Sequence, residues 1–260
     1  MNKLYTYFMY FLEYLKHKDI LSIIASVNYL LFKKSLRTDR IIKSSIGTFF
    51  CRRNTNDFQF ANYHYEWGVK KFILKRAKEF TFYIDGGAGI GDYSILLSKF
   101  NIRCIAFEPI LLTFEVLQLN LQLNNLDPKL ALPVGLGNEN KLVRFSFNPV
   151  NTGASHLDRE NNPENILVEM RTFDSLLPEL NINMEEHILF KLDVEGMELE
   201  AMQGASGFIR SYPHLMIIFE EKHSVKATII SFLNELATFE YGTVDEYNMY
   251  AKKIINNPLI

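Results

Sequence analysis

Phe82-Tyr83-Ile84-Asp85-Gly86-Gly87-Ala88-Gly89-Ile90-Gly91-Asp92-Tyr93-Ser94 is the stretch that decides the fold. An apolar run ends on an acid, a glycine-rich turn follows, and a helical pattern then opens. Residues 80–85 read as a buried parallel strand, since such strands are apolar on both faces. The glycines let the backbone turn sharply and approach a ligand without a Cβ in the way. Their spacing is Asp-x-Gly-x-Gly-x-Gly, which differs from the Gly-x-Gly-x-x-Gly of dinucleotide-binding turns.

The same alternation continues outward from this turn. Residues 103–108, 131–135, 187–193 and 214–221 read as further strands, separated by helices near 93–100, 111–124, 197–211 and 225–238. Short apolar strands alternating with helices predict an α/β domain with a mainly parallel sheet. Residues 45–52 look like a strand and 65–78 like a helix. A hairpin is expected as an insertion near 142–173, and a closing pair of strands in 241–254.

In open α/β sheets, ligands bind beyond the carboxyl ends of the strands. Those ends carry Asp85, Glu108, Asp193 and Glu220. Any one acid there is equally well explained by the preference of acids for helix N-termini. Four together favour a site built from hydrogen-bond acceptors. Glu108 follows Asp85 by one βαβ step, where an acid can accept hydrogen bonds from a ribose diol. The pair therefore describes a nucleoside pocket. No Gly-x-x-x-x-Gly-Lys-[Ser/Thr] occurs, so a P-loop NTPase is excluded.

The chain has 260 residues, with 28 basic and 30 acidic, a net charge of −2. That balance argues against a dedicated nucleic-acid binder, so no nucleic-acid partner is expected. Cys51 and Cys104 form no Cys-x-x-Cys, which disfavours a disulfide scaffold or a cysteine zinc site and fits a reducing, cytoplasmic setting. Residues 1–40 read as a helical extension and 41–260 as the main domain. Within the extension, 4–17 and 20–34 have aromatic and aliphatic residues at helical spacing. The nearly apolar stretch 20–32 is shorter than the ~20 residues a bilayer span needs, so no transmembrane segment is expected. No secretory signal pattern is present. The extension is either a cap packed on the main domain, or a peripheral membrane or oligomer contact through residues 4–34.

Several ordered blocks resemble the FkbM-type family of S-adenosylmethionine-dependent methyltransferases. They are the stretch 82–94 quoted above; Ala106-Phe107-Glu108-Pro109 with Leu117 to Asn120 and Asn124; Asn151-Thr152-Gly153; Arg171-Thr172-Phe173-Asp174-Ser175-Leu176; Lys191-Leu192-Asp193-Val194-Glu195-Gly196-Met197-Glu198 with Gln203-Gly204-Ala205; and Pro213 to Glu220. The resemblance covers roughly residues 45–225. It implies a class I methyltransferase (Rossmann-like) fold: a mostly parallel seven-stranded sheet with helices on both faces, here with the N-terminal helical extension. It also implies S-adenosylmethionine as cofactor, held by Asp85, Gly86, Gly87, Ala88, Gly89, Gly91, Tyr93, Ser94, Glu108, Pro109 and Asp193. The family more often has Gly-Ala-Asn where this chain has Gly87-Ala88-Gly89.

The implied reaction is O-methylation of a sugar, glycan or other small-molecule hydroxyl. A hydroxyl is a poor nucleophile until its proton is taken. Asp193 and Glu195 are the natural candidates for that task, with Lys191 able to pair with Asp193 and hold it ionised. If the backbone stays extended, Asp193 and Glu195 share a face; if a helix starts at once, Glu195 caps it. His223 and His156 are the candidate histidines. A divalent cation on Asp193 and a second acid is conceivable chemistry, but the spacing does not demand one and no metal ligand is assigned. Asn151-Thr152-Gly153-Ala154-Ser155 reads as a turn. Tyr63, Tyr65 and Trp67 either cover the pocket or pack a helix on the core.

Three other functions compete: an NAD-dependent oxidoreductase, a non-catalytic membrane-associated module of the same fold, and a nucleic-acid methyltransferase. The last commonly places Asn-Pro-Pro-aromatic at the fourth strand end, where this chain has Asp193-Val194-Glu195-Gly196.

Overall fold

In the computed structural model of the chain, residues 3–32, 35, 37–146, 156–157, 166–221 and 226–255 are described. The chain opens with helices α1 (Lys3–Lys16) and α2 (Ile20–Phe32). A hairpin of β1 (Arg40–Lys43) and β2 (Thr48–Cys51) follows. Then come α3 (Asp57–Phe60) and α4 (Trp67–Arg76). The alternating part runs β3 (Phe82–Gly86), α5 (Asp92–Ser98), β4 (Arg103–Phe107), α6 (Leu111–Leu123) and β5 (Ala131–Leu132). Next are β6 (Gly135–Leu136), β7 (Lys141–Ser146), β8 (His156–Leu157), β9 (Ile166–Arg171) and α7 (Phe173–Leu176). The chain continues through β10 (Ile188–Leu192), α8 (Glu198–Gln203), α9 (Ser206–Ser211), β11 (Leu215–Glu220), α10 (Lys226–Leu236), β12 (Phe239–Thr243) and β13 (Asn248–Lys253).

The main sheet has seven strands in the order β12-β13-β11-β10-β3-β4-β5. Pairs from β11 to β5 are parallel, and β12 and β13 close one edge antiparallel. This is the mostly parallel seven-stranded sheet that the resemblance implies. Strand order reverses between β3 and β10, which opens a crevice beyond their carboxyl ends.

The sheet separates its two apolar layers by strand alternation. Phe82 and Ile84 of β3, with Ile188, Phe190 and Leu192 of β10, face a core completed by Phe173, Phe208 and Ile217. Tyr83 and Leu189 face the other side, against Val69, Ile73 and Leu97 of helices α4 and α5. The next residue on that second face is Asp85 in β3 and Lys191 in β10, which pair in register. Both are buried. Two strands therefore deliver an acid and a base, shielded from water, to the same crevice.

Three expected elements differ. Residues 131–135 are two short strands in different sheets, because Pro133 has no N–H to continue a ladder. The single helix expected over 197–211 is broken into α8 and α9. The Gly204 carbonyl accepts from the Asp174 amide (2.9 Å), and the Asp174 carboxylate caps α9 through the amides of Gly207 (2.7 Å) and Phe208 (2.8 Å). The strand expected over 45–52 is the second arm of the β1–β2 hairpin, its turn closed by the Ser44 amide on the Gly47 carbonyl. The insertion near 142–173 does form an antiparallel pair, β7 with β9, and the tail does form closing strands.

Candidate active site

The glycine turn after β3 takes left-handed backbone at Gly87, Gly89 and Gly91 (φ +83°, +53° and +87°), a region that costs a side-chain-bearing residue. At Gly87 the need is doubled, since a Cβ there would overlap the Asp193 carbonyl oxygen. At Gly89 a Cβ would meet nothing within 4 Å, because it would project into open space. The turn is thus pressed against β10 at one glycine and left open at the next.

That open space is a cleft of about 340 Å3 at the reversal of strand order. Asp85, Glu108, Asp193 and Glu220, the four acids at strand ends, all line it. Gly87, Ala88, Gly89, Tyr93, Pro109, Lys191 and Glu195 line it as well. Gly86, Gly91 and Ser94 stand behind this surface. The Gly86 carbonyl accepts from the Asp193 amide (2.9 Å), joining the turn to β10. Ser94 Oγ donates to Asp85 Oδ2 (2.7 Å), and Tyr83 Oη donates to Oδ1 (2.9 Å). Burial pushes the Asp85 carboxyl up to about 6, opposed by Lys191 and by these two hydroxyls.

Glu108 folds back on the turn it follows. Its Oε2 accepts from the Gly89 amide and its Oε1 from the Ile110 amide, each at 3.0 Å. Burial pushes this carboxyl up to about 7 in spite of those bonds. The carbonyl of Ile90 in the same turn accepts from Asn120 Nδ2 (3.0 Å), while Asn120 Oδ1 accepts from the Phe50 amide (2.7 Å). Asn124 makes the matching pair of bonds to both backbone polar atoms of Thr48. These two asparagines clamp α6 and β2 around the turn.

Lys191 Nζ is 2.8 Å from Asp193 Oδ2, with 4 % of the lysine side chain exposed and 30 % of the aspartate's. Burial alone would lower the Lys191 pKa. The carboxylates of Asp193, Glu66 and Asp85 outweigh it and hold the ammonium charged. Glu195 satisfies neither backbone alternative. It sits in left-handed conformation (φ +51°) in a turn that continues through Gly196 (φ +91°), and α8 starts only at Glu198. It is therefore neither on an extended face with Asp193 nor in the first helical turn.

A second group of lining residues comes from the segment before the glycine motif, a stretch without a recognisable chemical pattern. Glu66 stands just before the first turn of α4 in left-handed conformation (φ +49°), and its side chain accepts from Tyr93 Oη at 2.8 Å. Protein encloses its carboxyl although part of the residue's surface opens to the cleft, and this burial pushes it up to about 7. Lys70, fully buried, pairs with Asp92 at 2.8 Å and donates to the Tyr65 carbonyl at 2.7 Å. The Tyr93 ring is close to two ammoniums, 4.8 Å from Lys70 and 4.6 Å from Lys191. Phe60 and Tyr65 meet edge to face (4.9 Å) on the same wall. Of the aromatic cluster noted in the sequence, Tyr65 thus reaches the cleft, whereas Tyr63 and Trp67 pack on each other and on His64.

His223 and the turn 151–155 lie outside the described residues, and His156 falls in β8 by its backbone. Among the described residues no group of three or more His, Cys, Asp or Glu could hold a metal, so a divalent cation finds no support there.

The family profile described as Methyltransferase FkbM domain matches residues 85–242. A curated relative, Methyltransferase 1 of Beauveria bassiana (strain ARSEF 2860), is 28% identical over 145 residues, which are 48% of this chain and 58% of the relative. The match spans less than two thirds of that relative's length. Among solved structures, methyltransferase FkbM from Methylobacillus flagellatus KT aligns with a TM-score of 0.47 at 17% identity, covering 67% of this chain and 44% of that one. The Pyrococcus abyssi tRNA (uracil-54, C5)-methyltransferase, in complex with S-adenosyl-L-homocysteine, aligns with a TM-score of 0.40 at 12% identity, covering 83% and 44%.

Proposed function

The chain belongs to the FkbM methyltransferase family, and from that premise we propose that it transfers a methyl group from S-adenosylmethionine to a hydroxyl of a sugar, glycan or other small molecule. The observation that carries this reading is the convergence of the open glycine turn, Glu108 and the Lys191–Asp193 pair on one cleft.

The residues fit the cofactor. Gly87 to Gly89 offer a backbone cradle in which a Cβ at Gly89 would take up ligand space. Glu108 offers carboxylate oxygens to hydroxyl donors such as a ribose diol, with Pro109 and Ile110 supplying an apolar edge. Asp85 braces the turn through Ser94 and Tyr83. The ring of acids around the cleft suits a cationic sulfonium ligand. Bound there, S-adenosylmethionine supplies an already activated methyl electrophile, so the protein's own task is positioning and proton handling.

Asp193 is the proposed base. Its carboxylate opens to the cleft, and the buried ammonium of Lys191, 2.8 Å away, holds it in place. It would take the proton of the acceptor hydroxyl as that oxygen bonds the methyl carbon and the carbon–sulfur bond breaks, the neutral thioether leaving. Lys191 is then a positioning residue. Glu195, held in its turn at the cleft, is assigned to binding the acceptor. Glu66, raised to about 7 by burial, is a second carboxyl able to take up or release a proton at the pocket while it accepts from Tyr93 Oη.

Calorimetric titration with S-adenosylmethionine and S-adenosylhomocysteine, with NAD as control, tests the cofactor assignment. A screen of hydroxylated acceptors with the labelled cofactor then tests the substrate class. A nicotinamide-only response would replace this reading with an oxidoreductase.

A further inference from the structure

Helices α1 and α2 each bury one stripe and leave the other uncovered among the described residues. Tyr14 of α1 and Ala25 of α2 pack into the core that holds Phe58 and Phe60, with Tyr10 and Tyr29 alongside. Tyr14 Oη donates to the Phe58 carbonyl at 2.9 Å, and Asn62 Nδ2 donates to the Tyr10 carbonyl at 3.2 Å. The pair is thus fixed to the segment that forms one cleft wall.

The opposite stripes are apolar too. Leu4, Phe8, Phe11 and Leu15 recur along one face of α1, and Ile20, Ile24, Val27 and Leu31 along one face of α2. Each of the eight is between 41% and 75% exposed. Apolar side chains exposed in rows along two neighbouring helices mark an interaction site, whereas isolated ones do not.

Charge identifies what covers it. Residues 1–37 contain the basic side chains Lys3, Lys16, Lys18, Lys33, Lys34 and Arg37, and only two acids, Glu13 and Asp19. Both acids are buried and engaged: Glu13 accepts from the Ser45 amide and Asp19 pairs with Arg40. The segment is cationic within a chain of net charge −2. Apolar stripes on a cationic segment whose two acids are both buried suit a bilayer carrying anionic headgroups. A second copy would set like charges against each other. Neither helix, at 14 and 13 residues, approaches the ~20 residues of a span, and no described helix is long and apolar enough to cross a membrane.

We propose that α1 and α2 are an interfacial anchor that lies on an anionic lipid surface, with their apolar stripes among the acyl chains and the exposed Lys18 at the headgroups.

The test is flotation of the full chain with phosphatidylcholine vesicles containing phosphatidylglycerol, and with phosphatidylcholine alone. The expected result is flotation with the anionic vesicles, weakened by salt. Phe8→Glu with Ile24→Glu lowers vesicle affinity by at least ~10-fold, since two buried apolar contacts become charges. Lys18→Glu lowers it roughly fivefold or more, the scale of one cationic contact at such a surface. Because all three positions are exposed, these variants retain the wild-type melting temperature and cofactor titration, which excludes misfolding as the cause. Flotation with neither vesicle, equal binding to both, or unchanged binding by the double variant would overturn the proposal. A concentration-dependent dimer abolished by the double variant, without vesicle binding, would overturn it in favour of a second copy.

Discussion

Lys191 and Asp193 leave the same strand end two residues apart, and their side chains meet at 2.8 Å, the ammonium buried and the carboxylate half open to the cleft. The lysine answers three acids at once, Asp193, Glu66 and Asp85. It is the charge that allows an acidic crevice to exist inside an apolar fold, since buried charges persist only when compensated.

Replacing Lys191 by Met removes that compensation. Glu66 and Asp85, both held down by the lysine, then rise further in pKa. A carboxyl raised in the folded state contributes no penalty below its unfolded pKa and destabilises as pH climbs through the folded value. The variant's stability deficit is therefore small near pH 5 and largest near pH 8, on the order of 3 kcal/mol. Denaturant melts at the two pH values measure it. An equal deficit at both would contradict this account of Lys191.

Asp193→Asn keeps the shape of the cleft and removes the base. Cofactor binding stays within about threefold of wild type, while turnover falls by roughly 10²- to 10⁴-fold. Single-turnover kinetics with labelled cofactor separates the two effects. Wild-type turnover would remove Asp193 from its assigned role.

Glu108 and Asp85 are raised to about 7 and 6 by burial, from ordinary values of 4.5 and 3.8. The free protein is accordingly more stable near pH 5 than near pH 8 by the contribution of these groups. Hydroxyl donors of a ribose bind best to the ionised form of Glu108. Cofactor affinity thus rises with pH by up to roughly tenfold per unit below 7 and levels off above it. In Glu108→Gln the affinity is low and its pH dependence weakens. Titrations at pH 5.5, about 6.5 and about 8 report the profile.

Asn120 is buried and bonds both the Ile90 carbonyl and the Phe50 amide. Asn120→Ala leaves both unpaired and costs roughly 2 kcal/mol of stability. Because one of those bonds holds the glycine turn, cofactor affinity falls as well. A thermal melt with and without cofactor shows both losses, and a melt shifted without any change in affinity would separate the clamp from the site.

The sequence made the site legible where chemistry and local pattern coincide. Asp85, Glu108 and Asp193 end apolar runs, and the glycines between Asp85 and Tyr93 mark their own turn, so strands and pocket could be placed together. Glu66 and Lys70 gave no such sign. Glu66 matters because Tyr93, 27 residues later, reaches it, and its left-handed backbone is not a preference of glutamate. The break between α8 and α9 was equally hidden, since its cap comes from Asp174, some 30 residues upstream. Asn120 and Asn124 stood out in the family resemblance as residues, but their clamp on β2 depends on a hairpin 70 residues away. Glu195 was misjudged because a two-residue spacing was read as strand or helix, and the chain made a turn instead.

The central claim is that the cleft between β3 and β10 holds S-adenosylmethionine. Calorimetric titration of the purified chain with that cofactor, alongside NAD, is its most direct test. The account requires micromolar binding of S-adenosylmethionine, absence of NAD binding, and loss of the signal in Glu108→Ala. Binding of NAD in its place, or equal binding by the Glu108 variant, would contradict it.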